Sequence, residues 1–146
     1  MFLAIGDAHG KWEKYRKIIS NYKGKTIQVG DFGLGFPGEK DPESFPRKDS
    51  FIRGNHDNPE VCRKHPNYLG DYGDYGDGIY FISGAYSIDQ TFRTEGIDWW
   101  REEELSYADQ MACLNSYEKQ CPDILVTHMA PKSIEGELFD FRHYPN

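Results

Sequence analysis

Five side chains that could hold divalent cations stand in four short motifs: Asp7 and His9 in Gly6-Asp7-Ala8-His9-Gly10, Asp31 in Gly30-Asp31, Asn55 in Gly54-Asn55-His56-Asp57, and His128 in Thr127-His128. Asp7 to Asp31 spans 24 residues, and Asp31 to Asn55 another 24. Carboxylates and an amide supply oxygen donors, while imidazoles add affinity for manganese, iron, zinc or nickel. Asp7 and His9, two apart on a turn, can grip one ion. A carboxylate such as Asp31 can bridge two ions, and Asn55 and His128 can complete the second. The glycines beside them permit sharp turns and close approach of backbone to a bound phosphate. Each motif alone has a plainer reading, since Gly-Asp is ordinary turn chemistry and Asp-x-His occurs without metal. In this order, each behind an apolar run, they read as one site.

The elements that must position these residues follow from the hydrophobic pattern. Phe2 to Ile5 is a short apolar run of buried-strand type, and Thr26 to Val29 a second. Between them Trp12, Tyr15, Ile18, Ile19 and Tyr22 fall on one face of a helix over 11–22, which Gly24 is expected to end. Residues 33–50 lack a sustained period and read as a long surface loop. Phe51 to Arg53 is a third strand and Pro59 to Lys64 a short helix. Ile79 to Ser83 and Asp123 to Thr127 are further strands. A helix is expected near 102–119, its dipole matched by Glu102, Glu103 and Glu104. The Gly70-Asp71-Tyr72-Gly73-Asp74-Tyr75-Gly76-Asp77-Gly78 tract reads as a flexible loop, with a calcium-binding turn as the alternative. Strands alternating with helices make the fold class α/β and layered. Ligands in such sheets bind beyond the carboxyl ends of the strands, where the four motifs would converge.

The chain has 146 residues, enough for one domain with its own core, and no domain boundary is visible. No apolar run approaches the ~18 residues of a membrane span, so no membrane partner is expected. Cys62, Cys113 and Cys121 are odd in number and lack CxxC spacing, which fits a reduced, cytoplasmic setting. Net charge is 17 − 24 = −7. Residues 11–25 carry six bases against Glu13, a local +5, whereas residues 69–110 carry ten acids against Arg93 and Arg101, a local −8. Nucleic acid gains affinity from broad basic surface. This chain lacks it overall, so nucleic acid is a disfavoured partner, and the basic stretch reads as a solvated helix face.

The motifs together resemble the calcineurin-like metallophosphoesterase superfamily. That family shows Asp-x-His, Gly-Asp, Gly-Asn-His-Asp/Glu, a lone His after a strand, and Gly-His-x-His. The first four stand here as Asp7-Ala8-His9, Gly30-Asp31, Gly54-Asn55-His56-Asp57 and His128. The resemblance implies one domain over 1–146, a β-sandwich flanked by helices. It implies Asp7, His9 and Asp31 on one ion, Asp31, Asn55 and His128 on a second, and His56 protonating the leaving oxygen. Asp57 would then orient or charge-stabilise His56. The implied activity is hydrolysis of phosphate monoesters or diesters, with two divalent ions, manganese first, about 3.5–4 Å apart around a bridging hydroxide. The substrate would be a small phosphate ester or nucleotide.

Two departures qualify the resemblance. Protein phosphatases of the family follow the second Gly-Asp with Asp-Arg-Gly, but here Phe32-Gly33-Leu34-Gly35 stands instead, without the phosphate-gripping arginine. Gly-His-x-His is absent: the chain ends at Asn146, 18 residues past His128, and His143 is the only later histidine. The expectation is a chain lacking the family's last strands, short of one imidazole per ion, weakly active alone and prone to self-association. Two rival readings are a non-catalytic scaffold of the same fold and, resting only on the basic first helix, a nuclease of the same superfamily.

Overall fold

In a computed structural model, which describes residues 2–38, 45–46, 48–131 and 133, strand β1 (Phe2–Ile5) pairs in parallel with β2 (Lys25–Val29). Strand β2 pairs in parallel with β3 (Asp49–Ile52), giving a sheet in the order β1-β2-β3. Parallel strands need a crossover, and helix α1 (Trp12–Asn21) supplies the first. Its Tyr15 and Ile19 are buried, while Ile18, at the margin of the apolar stripe, is 45% exposed. The helix stops at Asn21, before Gly24, because Tyr22 is already extended; its N–H still donates to the Ile19 carbonyl.

The side-chain period of two sends alternate residues of β3 to opposite faces. Phe51 packs with Tyr15, Ile19, Phe32, Leu34, Phe45 and Cys62 on the α1 side. The start of the predicted surface loop is therefore interior. Phe32 and Leu34 are fully buried, and the Phe32 ring meets Trp12 and Tyr15 edge-on at 4.6 and 4.8 Å. Apolar burial outweighs loop exposure there.

A second sheet has the order β4-β5-β6: β4 (Tyr72–Gly76) is antiparallel to β5 (Ile79–Ile82), which is parallel to β6 (Ile124–Thr127). This corrects the expectation for Gly70–Gly78, which is largely a strand and its hairpin turn. Asp77 and Gly78 both have positive φ, 56° and 74°, the backbone of a type I′ turn that Asp-Gly favours. The register shifts between Asp74 and Gly76, so β4 bulges. The helix expected over 102–119 is likewise corrected. A 3₁₀ turn spans Arg101–Glu103, and α3 (Tyr107–Gln120) starts later, where the Ser106 hydroxyl accepts from the Asp109 N–H at 3.2 Å. A capping oxygen at Ser106 outranks acids placed for the dipole.

The two sheets face each other. Ile27 and Ile52 of the first pack against Ile79, Phe81 and Val126 of the second. Tyr80, pointing the other way, donates to the Cys113 carbonyl of α3 at 3.3 Å. The layers thus run α1, sheet, sheet, α3, a sandwich flanked by helices. The short α2 (Pro59–Lys64) follows β3 and is capped by the Asn58 side chain. Among the described residues no helix is long and apolar enough to cross a membrane. His143 lies outside the described residues.

Candidate metal centre

The turns after β1, β2 and β3 are held against each other by backbone. The His9 N–H donates to the Asp31 carbonyl and the Gly10 N–H to the Phe32 carbonyl, both at 3.0 Å. Gln28, fully buried in β2, brackets the next turn: its amide donates to the Gly30 carbonyl, and its oxygen accepts the Gly30 N–H at 3.1 Å. These bonds keep Asp7, His9 and Asp31 in left-handed backbone, with φ of 44°, 41° and 53°. Non-glycine residues there are uncommon and cluster where surrounding structure over-determines a functional turn.

The carboxylate of Asp31 stands at the middle. Its Oδ2 lies 3.5 Å from His9 Nε2 and its Oδ1 lies 3.4 Å from His128 Nε2. Oδ1 also accepts the His56 backbone N–H at 2.9 Å. His128 Nδ1 lies 2.8 Å from the Val29 carbonyl. An oxygen there can only accept, so Nδ1 carries the proton and Nε2 keeps its lone pair for a ligand, the usual support for a metal-binding histidine. Two glycines form the floor. A Cβ on Gly30 would come within 2.5 Å of the His128 ring, and one on Gly54 would strike the Asp31 carboxylate.

Asn55 is oriented from behind. Its Nδ2 donates to Ser87 Oγ at 3.2 Å, and Ser87 donates from Oγ at 2.6 Å and from N at 2.9 Å to the buried carboxylate of Glu103. With its nitrogen committed, Asn55 keeps Oδ1 for an ion. Sequence reasoning missed Ser87 and Glu103, whose contacts reach across 32 and 16 residues with no spacing signal.

The donors separate into two groups that share Asp31: His9, Asp31 and His56 in one, Asp7, Asp31 and His128 in the other. The grouping differs from expectation, because Asp7 falls with His128 and His56 comes within ligand reach of His9. Asp7 and His9, two residues apart and both in left-handed backbone, thus fall in different groups. Carboxylates and imidazoles converging in a glycine-floored cradle fit divalent transition ions.

Asp57 does not sit where it was expected. It is fully buried, and its carboxylate accepts the N–H groups of Phe32, Gly33, Leu34 and Gly54 at 3.1, 2.7, 3.1 and 2.8 Å. Burial pushes its carboxyl pKa up, against the pull of the Gly54, Phe32 and Leu34 amides. The side chain ties the β2 turn to the β3 turn instead of orienting the His56 imidazole, because four buried amides need an acceptor.

His56 has other neighbours. Its ring stacks on Phe36 at 4.8 Å and meets the His9 ring edge-on at 5.1 Å. Its Nε2 lies 2.6 Å from Arg93 Nη2. A guanidinium can only donate, so the imidazole is neutral with Nε2 accepting. Burial lowers the His56 pKa, with Arg93 and His9 lowering it further against Asp31 and Asp89. Sequence reasoning treated Arg93 only as a charge. The one available signal was its place four residues after Asp89, to which its Nε is paired at 2.8 Å.

A family model described as calcineurin-like phosphoesterase matches residues 1–145. No curated protein and no solved structure matches the chain.

Proposed function

The chain belongs to the calcineurin-like phosphoesterase family, and from that premise we propose that it is a hydrolase of phosphate esters working through two divalent ions. The observation that carries this reading is Asp31, whose two oxygens face different histidines, His9 and His128, at 3.5 and 3.4 Å. A carboxylate so placed suits two ions at once. Asp7, His9, Asp31, Asn55 and His128 would hold them, manganese first, with iron, zinc or nickel as alternatives. When bound, such ions supply Lewis-acid charge for the phosphoryl group and activate water as the nucleophile. The chain's own residues do the rest. Asn55 is turned by Ser87, His128 is fixed by the Val29 carbonyl, and His56, neutral while Arg93 donates to its Nε2, would take up a proton before giving one to the leaving oxygen. The substrate is a small phosphate ester or nucleotide. An odd number of cysteines, Cys62, Cys113 and Cys121, without CxxC spacing supports a reducing, cytoplasmic setting.

The test is hydrolysis of p-nitrophenyl phosphate and bis(p-nitrophenyl) phosphate with added Mn²⁺, beside elemental analysis. Asp31→Asn should lose most bound metal and all turnover while its circular dichroism stays that of the wild type. Unchanged metal in that variant would sink the bridging role. A metal-loaded wild type without turnover on any phosphate ester would favour a non-catalytic scaffold.

A further inference from the structure

We propose that Arg93, on the loop between β5 and α3, grips the phosphoryl oxygens of the substrate beside His56. The inference rests on the phosphoesterase reading above and names a substrate-binding residue for it. Ile88 and Phe92 on the same loop are 88% and 90% exposed, whereas the Arg93 side chain is only 8% exposed. A long cation that turns inward from a solvated loop needs a reason, since burying guanidinium without full pairing costs free energy. Its three contacts are unequal. Nε is on the Asp89 carboxylate at 2.8 Å, which anchors the stem end of the fork. Nη1 donates to the Asp98 carbonyl at 3.3 Å and Nη2 to His56 Nε2 at 2.6 Å, both neutral acceptors.

The charged end of the fork is thus aimed at the cradle and held by partners that an anion outcompetes. The guanidinium already charges these two bonds from the donor side, but only an oxyanion adds charge on the acceptor side, and a planar guanidinium matches phosphoryl oxygens two at a time. The chain lacks an Asp-Arg-Gly after Asp31, so no arginine comes from that turn, where Phe32-Gly33-Leu34 is buried in the core. Arg93 comes instead from the loop after β5 and, through its contact with His56, brings positive charge beside a cradle otherwise lined with Asp7 and Asp31.

The experiment titrates inorganic phosphate into the Mn²⁺-loaded chain by calorimetry, for wild type, Arg93→Gln, Arg93→Lys and Asp89→Asn. Losing a charge-assisted contact should weaken phosphate binding about 10–100-fold in Arg93→Gln. Arg93→Lys should fall between, because it keeps charge but not the fork, and Asp89→Asn should weaken binding by loosening the anchor. Manganese content should match the wild type throughout. If Arg93→Gln fails to fold, by circular dichroism, the other two variants carry the same test. Equal phosphate affinity in wild type and variants, or no phosphate binding by any of them, overturns the proposal. Phosphate binding that depends on Arg93, in a chain that hydrolyses no aryl phosphate, would sustain the arginine's role and sink the catalytic reading instead.

Discussion

His56 concentrates the chemistry at the scale of one residue, because it has three pulls on it. It lies within ligand reach of His9 and Asp31, it stacks on Phe36, and its Nε2 faces Arg93. If it serves as the acid, His56→Ala should keep the wild-type metal content. Turnover should then drop by about 10²–10⁴-fold on an alkyl phosphate and much less on p-nitrophenyl phosphate, whose leaving group needs no proton. Loss of metal would make it a ligand, and equal loss on both substrates would remove the acid role. Its titration gives a second check. The folded pKa lies below the ordinary ~6.5 chiefly because burial disfavours the imidazolium. The metal-free fold therefore gives up stability as pH falls from ~6.5 through the folded value, and nothing from this group above it. Relative to wild type, metal-free His56→Gln should melt at a higher temperature at pH 5 than at pH 8. A constant offset between those pH values would show that the ring is not desolvated. The candidate ligand residues were legible because each follows an apolar run, and their types suit them to cation binding. Arg93 was not legible, since a contact 37 residues from His56 leaves no local pattern.

Between residues and molecule stand the turns after β1, β2 and β3, which backbone hydrogen bonds hold together and whose second and third members Asp57 also joins. Asp57→Ala would leave the amides of Phe32, Gly33, Leu34 and Gly54 buried without their acceptor. The expected loss is at least ~3 kcal/mol in urea denaturation, as for other broken buried networks. The metal affinity of whatever remains folded should fall with it, because Asp31 sits between Gly30 and Phe32 on the clamped turn. A change under ~1 kcal/mol would show that water replaces the carboxylate at little cost. This role is invisible in Gly54-Asn55-His56-Asp57, where the acid reads as a partner for the neighbouring histidine. The same scale explains what else was misread. Strands β1, β2 and β6 were legible to within a residue from their apolar runs. Strand β5 was too, but β4 and the hairpin were not, because Tyr-Gly-Asp repetition masks a period of two and the Asp77-Gly78 turn carried the signal alone. The start of α3 was misplaced because Glu102, Glu103 and Glu104 imitate a first turn, while Glu103 is in fact buried beneath Ser87.

For the whole molecule, what matters is that the site draws Asp7, His9, Asp31 and Asn55 from turns of the first sheet and His128 from the end of β6 in the second, so neither sheet holds it alone. The α/β class was legible from alternating elements, but the pairing of β5 with β6 spans more than 40 residues and no local pattern encodes it. That pairing builds the second sheet, and the second sheet covers Ile27 and Ile52, which are wholly buried. Ile52 ends β3, one residue before the fully buried Arg53 and two before Gly54. Arg53 in turn donates to Asp71 at 3.1 Å and to the Glu103 carbonyl, both on the second sheet's side of the molecule. The sheets should therefore unfold together, with the metal cradle as part of the same unit. Ile52→Ala removes packing from the inter-sheet core and should cost about 2–5 kcal/mol. Urea unfolding followed by tryptophan fluorescence and by far-ultraviolet circular dichroism should give coincident transitions in both wild type and variant, shifted together. Two separated transitions, with Mn²⁺ binding lost in only one of them, would mean that each sheet folds by itself and that the shared core does not support the site.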